Sequence, residues 1–357
     1  MRRALLVTTA MILVLPLGGC AVNELGLEGK GKYHGTLVGS GASSQQAAQE
    51  AWIAGFQSAN ADATIEYDPS GSGAGRDSFI AGGSMFAGSD RALHIDEIES
   101  SHFAACAEGS GIVEVPAYIS PIAVVFTLEG IDRLDLDPTT IARIFSGEIT
   151  RWNAEPIAAS NPGVELPDLA ITPVHRADDS GVTENFTEYL SVAAADSWPY
   201  EPDGVWPITN GEAAPQTSGM VAAVRNGVGT IGYVDASRAR GLDAVAVKVG
   251  DEFVPYSAEA AAAVVDVSTV EPGRGPADLA FDLDRTPSAS GVYPIVLISY
   301  LIACQEYREP AIGELARGFF EYVISEEAQR AAQEHAGSAP MSASLQQRAA
   351  EAVATIH

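Results

Sequence analysis

Positive charge is scarce in this sequence. Lysine and arginine together number 20 against 47 aspartates and glutamates, a formal charge of −27. A nucleic acid or an anionic membrane surface is recognised through a basic face, so neither suits this chain as a partner. Histidine is sparse too. His34, His94, His102, His175, His335 and His357 are scattered, with no metal spacing such as H-E-x-x-H. No G-x-S-x-G turn marks a hydrolase nucleophile. Beyond residue 17 no apolar run is long enough to span a bilayer. Cysteine is limited to Cys20, Cys106 and Cys304.

What is present begins with a leader pattern. Arg2 and Arg3 precede an apolar stretch over 4–17, which is short for a transmembrane helix and suits a signal-peptide core. It ends in Leu17-Gly18-Gly19-Cys20, the small-residue-then-cysteine pattern of bacterial lipoprotein signals. We therefore expect residues 1–19 to be removed, Cys20 to be lipidated, and 20–32 to be a polar tether to a membrane. Cleavage takes Arg2 and Arg3 and no acid, which lowers the formal charge by two to −29. The remaining length suits about two domains at ~150 residues each. In an extracytoplasmic compartment Cys106 and Cys304 are expected to pair as a disulfide, the alternative being two separately buried thiols.

Strand and helix patterns alternate along the rest. Short apolar runs at 36–38, 63–67, 85–87 and 171–174 predict strands, and from Ile112 the pattern changes to two apolar stretches, 112–115 and 122–127. Ala48, Trp52 and Phe56 recur at helical spacing. Asp137-Pro138 opens a helix that Gly147 ends, and Ser325 caps another that ends near Gly337. Such alternation implies α/β domains with helices on mainly parallel sheets, whose ligands sit beyond the carboxyl ends of strands.

Three glycine- and serine-rich turns occupy those positions. They are Gly39-Ser40-Gly41-Ala42-Ser43-Ser44, Ser70-Gly71-Ser72-Gly73-Ala74-Gly75 and Arg176-Ala177-Asp178-Asp179-Ser180-Gly181. Glycine admits close backbone approach, and a helix's first turn offers unpaired N–H donors that suit an anion. The residues alone thus point to a two-domain α/β protein with an anion site.

The order of these turns, with Phe86-Ala87-Gly88-Ser89-Asp90, Ile141-Ala142-Arg143-Ile144-Phe145-Ser146-Gly147, Trp152-Asn153, Gly229-Thr230-Ile231-Gly232-Tyr233-Val234 and Tyr293-Pro294-Ile295, resembles the PstS-type substrate-binding proteins of phosphate ABC transporters. The resemblance runs from Leu37 to about Met341. It implies a non-enzymatic, two-lobed periplasmic-binding-protein fold, each lobe a mainly parallel sheet flanked by helices, joined by strands crossing near Pro116 and Pro294. Lobe I is then 33–116 plus 290–357, and lobe II 117–289. Inorganic phosphate would lie dehydrated between them, destined for the permease subunits of a transporter, with no cofactor and no metal. Residue by residue, Ser43 and Ser72 would donate by hydroxyl and backbone and Ser44 by its backbone N–H. Arg176 would donate a charge-assisted pair, and Ser180, Gly181 and Val182 would donate at a helix start. Ser44 stands where the family often has phenylalanine, and Val182 where it often has threonine, a hydroxyl that Thr183 could replace.

Asp90 carries the physical argument for phosphate. A carboxylate facing an anion is unfavourable unless the ligand donates a proton to it. Phosphate at neutral pH retains an O–H and sulfate has none, so a buried acceptor can discriminate by roughly 10⁴–10⁵. Arsenate is protonated like phosphate and is not excluded. Three other readings stand beside this one: a binding protein for sulfate, molybdate or arsenate; a hydrolase using Ser72 or Ser180 with His175 as base; and a surface sensor or adhesin that binds phosphate without a transporter. Arg76 is expected to pair with an acid near Asp77. The dinucleotide-like run over 227–232 precedes a strand pattern instead of following one and is rejected.

Overall fold

The computed structural model describes residues 31–357. The expected signal peptide, Cys20 and nearly all of the tether lie outside the described residues. No helix among the described residues is long and apolar enough to cross a membrane.

The strands in chain order are β1 (Gly35–Gly41), β2 (Ala63–Asp68), β3 (Phe86–Ser89), β4 (Ile112–Phe126), β5 (Arg133–Leu136), β6 (Thr172–Arg176), β7 (Glu212–Ala214), β8 (Thr230–Asp235), β9 (Asp243–Val249) and β10 (Glu252–Val254), then β11 (Thr269–Val270), β12 (Phe281–Asp282) and β13 (Val296–Cys304). All but the β11–β12 ribbon join one sheet, whose main path runs β2-β1-β3-β13-β4-β8-β6-β7. At one end β1 pairs in parallel with β2 and β3, and at the other β6 pairs in parallel with β7 and β8. Between them β13 and β4 are antiparallel to each other and to their outer neighbours.

The sheet is therefore mixed and continuous, where two mainly parallel sheets were expected. The cause is β4. Its 15 residues are all buried, and it takes in the apolar stretch over 112–115 and all but the last residue of the one over 122–127. The first part of β4 pairs with β13 and residues 122–126 pair with β8. Pro116 has no N–H to give the ladder, and the register shifts opposite it, between Ser299 and Tyr300.

The first seven helices are α1 (Gln46–Ala59), α2 (Ser72–Ala81), α3 (Ile95–Ser100), α4 (Pro138–Phe145), α5 (Glu155–Ser160), α6 (Gly181–Ala193) and α7 (Gln216–Asn226). α1 follows a single 3-10 turn over Ser43–Gln45 and buries Ala48, Trp52 and Phe56 as their spacing predicts. Asp137 caps α4 by accepting from the Thr140 N–H, and Gly147 follows it at φ +84°. The buried aromatic side chains include two groups. Tyr33, Phe56, Phe86 and Phe319 pack with centroids 5.5–5.7 Å apart. Phe145, Phe186, Trp206 and Tyr233 form the other, with Tyr233 stacked on Phe186 at 4.3 Å. A disulfide joins Cys106 to the end of β13 at Cys304, with Cα atoms 5.3 Å apart, as the cysteine count predicts.

Candidate functional site

The three turns meet. β1 delivers Ser43 and Ser44, the N-terminus of α2 delivers Ser72, β3 delivers Asp90, β6 delivers Arg176, and the N-terminus of α6 delivers Ser180, Gly181 and Val182. Two glycines measure how closely. A Cβ on Gly181 would stand 2.6 Å from the Asp90 Cβ and 2.9 Å from the Ser72 Oγ. Gly71, at φ +111°, would place one 2.9 Å from the Asp178 carboxylate. Neither position admits a side chain without moving the opposite turn.

Asp90 is 2% exposed, and its carboxylate is surrounded by donors. The Ser44 hydroxyl lies 2.6 and 2.8 Å from its two oxygens, and the Ser299 hydroxyl donates to Oδ1 at 2.5 Å. Its backbone N–H donates to the Ser72 Oγ, and its carbonyl accepts from the Asn185 Nδ2 at 2.6 Å. Burial raises the Asp90 pKa, and the hydroxyls of Ser299 and Ser44, with the charges of Arg176 and Arg76, work against it.

Arg176 is equally buried and is held along one edge. Its Nε donates to the Asp178 Oδ1 at 2.9 Å and its Nη2 to Oδ2, with a longer contact to the Ser43 Oγ at 3.5 Å. No acceptor among the described residues takes Nη1. Asp178 also accepts the Gln216 N–H, which holds Gln216 at φ +54° and brings the start of α7 to the site. There the Thr217 N–H donates to the Ser43 Oγ, 2.9 Å from the Thr217 hydroxyl.

At α6, Ser180 caps the helix by accepting from the Thr183 N–H. Its own N–H is taken by the Gly204 carbonyl, so the donors this turn keeps are its hydroxyl and the first-turn N–H groups of Gly181 and Val182. The Thr183 hydroxyl pairs with the Tyr233 hydroxyl at 2.9 Å instead of replacing the one missing at Val182. The same Tyr233 oxygen accepts from the Arg176 N–H, so the second aromatic group anchors both β6 and α6.

Arg76 corrects an expectation. Its partners come from distant segments instead of from beside Asp77: Ser89 at 2.9 Å, Asp179 at 3.6 Å and Glu97 at 4.0 Å. His175 has both ring nitrogens against carbonyls, those of Arg176 and Asn210, and stacks on Trp206. It is occupied as a structural group and does not reach Ser72 or Ser180 as a base.

Ser299, Thr217, Asp178 and Asn185 are site residues that the sequence reading missed. Asp178 stood two residues from Arg176, within reach of a guanidinium, and could have been found. Ser299 is embedded in the apolar run of β13 and reaches Asp90 only through strand pairing with β3 and β4.

The sequence model of the PBP superfamily domain matches residues 28–327. Among curated relatives, phosphate-binding protein PstS 3 of Mycobacterium tuberculosis is 33% identical over 295 residues, 81% of this chain and 78% of that protein. Phosphate-binding protein PstS 2 of the same species is 31% identical over 326 residues, 90% of this chain and 87% of that protein. Among solved structures, the phosphate-bound periplasmic phosphate-binding protein PfluDING superposes with a TM-score of 0.67 at 21% identity, over 88% of this chain and 92% of that one. A phosphate-binding protein from Stenotrophomonas maltophilia gives 0.66 at 21% identity, over 89% and 93%. The structural likenesses establish an α/β periplasmic-binding-protein fold. With the superfamily match and relatives a third identical over most of both chains, the chain belongs to the PstS-type phosphate-binding proteins of the periplasmic-binding-protein superfamily.

Proposed function

We propose that this chain binds inorganic phosphate outside the cytoplasm and delivers it to the permease subunits of an ABC transporter. Its family consists of non-catalytic substrate-binding proteins. The observation that carries the reading is the Asp90 carboxylate, buried among hydroxyl donors in a cluster that also holds the Arg176 guanidinium. A tetrahedral anion would take the unpaired Nη1 of Arg176, the hydroxyls of Ser43, Ser72 and Ser180, and the N–H groups of Ser44, Gly181 and Val182. One of its oxygens would carry a proton to Asp90. Sulfate cannot supply that proton, and it would leave a buried carboxylate against an anion.

Ligand capture is then a closure of residues 33–116 plus 290–357 against 117–289, hinged at the crossings near Pro116 and Pro294. The N-terminal pattern supports a lipid anchor on Cys20, with 20–32 as tether. The acidic surface is compatible with this function, because charges more than about 8–10 Å away are screened while bonds within a dry cleft are not.

Titration calorimetry with phosphate, sulfate and arsenate tests the reading. Phosphate and arsenate are expected to bind and sulfate to bind at least a thousandfold more weakly, with Asp90→Asn narrowing that gap. Equal binding of sulfate, or an unchanged ratio in Asp90→Asn, would reject it.

A further inference from the structure

A chain of buried polar side chains leads up to Asp90. Gln49, Gln45 and Ser299 are each at most 1% exposed. The Gln49 Nε2 donates to the Gln45 Oε1 at 2.9 Å. The Gln45 Nε2 donates to the Ser299 Oγ at 2.7 Å and to the Tyr300 carbonyl at 3.0 Å. The Ser299 hydroxyl donates to the Asp90 Oδ1 at 2.5 Å.

The chain has one consistent direction. Turning the Gln45 amide over would set its oxygen against the Tyr300 carbonyl and its nitrogen against the Gln49 donor, so the network fixes the orientation. With a Ser299 lone pair taken by Gln45, its only hydrogen points at Asp90. Gln49 leaves its Oε1 without a partner among the described residues, an arrangement that burial penalises and that apolar side chains would avoid.

The chain and Ser44 load the two carboxylate oxygens unequally. Oδ1 takes the Ser299 hydrogen, and the one Ser44 hydrogen is shared between Oδ1 at 2.6 Å and Oδ2 at 2.8 Å. We propose that Ser299, aimed by Gln45 and Gln49, is a positioning residue that keeps Asp90 ionised and leaves Oδ2 as the acceptor for the ligand's proton, and so sets the selectivity for a protonated tetrahedral anion.

This rests on the phosphate reading above and deepens it. A protonated Asp90 would be a donor, and a donor welcomes sulfate as readily as phosphate. Burial pushes Asp90 toward that state. Arg176 on β6 and Arg76 on α2 oppose it, and Tyr67 on β2, which feels the Asp90 charge, is held neutral by its own burial. The two hydroxyls supply the remaining stabilisation of the carboxylate.

The test is the phosphate-to-sulfate affinity ratio of the full chain, measured by titration calorimetry from pH 4 to 9 in wild type, Ser299→Ala, Gln45→Leu and Asp90→Asn. The ligand's own titration is common to all four and cancels in the comparison. Wild type is expected to lose selectivity as pH falls through the Asp90 titration. Ser299→Ala should move that midpoint up by about one pH unit, a tenfold gain in proton affinity, and Gln45→Leu should move it in the same direction. If both variants weaken phosphate and sulfate equally with the midpoint unmoved, Ser299 is structural and this inference falls alone. If wild type does not bind phosphate, or Asp90→Asn keeps full selectivity, the phosphate reading falls and takes this inference with it.

Discussion

In the proposed site Arg176 is held by Asp178 in a way that suits an anion. Asp178 takes its Nε and Nη2, which fixes the plane of the guanidinium and leaves Nη1 as the group presented to a ligand. Lysine has neither the fork nor the reach to satisfy Asp178 and an anion together. Arg176→Lys is expected to lower phosphate affinity about a hundredfold, roughly 2.7 kcal/mol, in a calorimetric titration. A loss of less than threefold would mean that charge alone suffices. At this scale the sequence revealed the donors carried by turns, because glycine, serine and a helix start leave a local signature. It hid Ser299 and Thr217, which reach the site only through long-range pairing, and it hid the role of Ser44, whose hydroxyl serves Asp90.

Among the elements, β4 departs most from its sequence pattern. Pro116 and Pro121 interrupt the apolar run, so it reads as two apolar stretches. Burial on both faces and partners on both sides carry the ladder through the interruptions. Where β4 meets β8, Asp235 is fully buried. The Tyr118 hydroxyl and the Ser237 N–H donate to its Oδ1, and Oδ2 has no partner among the described residues. Burial pushes this carboxyl up to about 6, and the nearby hydroxyls of Ser237, Ser120 and Tyr118 offset only part of the effect. The folded state therefore holds a proton on Asp235 that the unfolded chain, titrating near the ordinary 3.8, has already released. The stability from this group is full below pH ~4 and is lost as pH rises to about 6, by roughly 3 kcal/mol. Asparagine keeps an acceptor for Tyr118 and does not titrate. The stability of Asp235→Asn relative to wild type should thus rise between pH 4 and 6 in urea titrations without added anion. A flat difference would show that the carboxylate is solvated.

At the scale of the whole molecule, β13 carries one cysteine of the disulfide and one residue of the proposed ligand site, and the two act on different things. Cys304 ends β13, five residues beyond Ser299, which places it about 16 Å from the Asp90 contact along an extended strand. The bridge closes a loop of 198 residues, and the chain-entropy account assigns it about 5 kcal/mol through restriction of the unfolded state. Cys106 and Cys304 both fall in the proposed first lobe, so the bridge spans no hinge and restrains no closure. Replacing both cysteines by serine should lower the urea midpoint by an amount equivalent to about 2–5 kcal/mol while leaving phosphate affinity within about threefold. If affinity falls in step with stability, the bridge holds the β3–β13 register that brings Ser299 to Asp90.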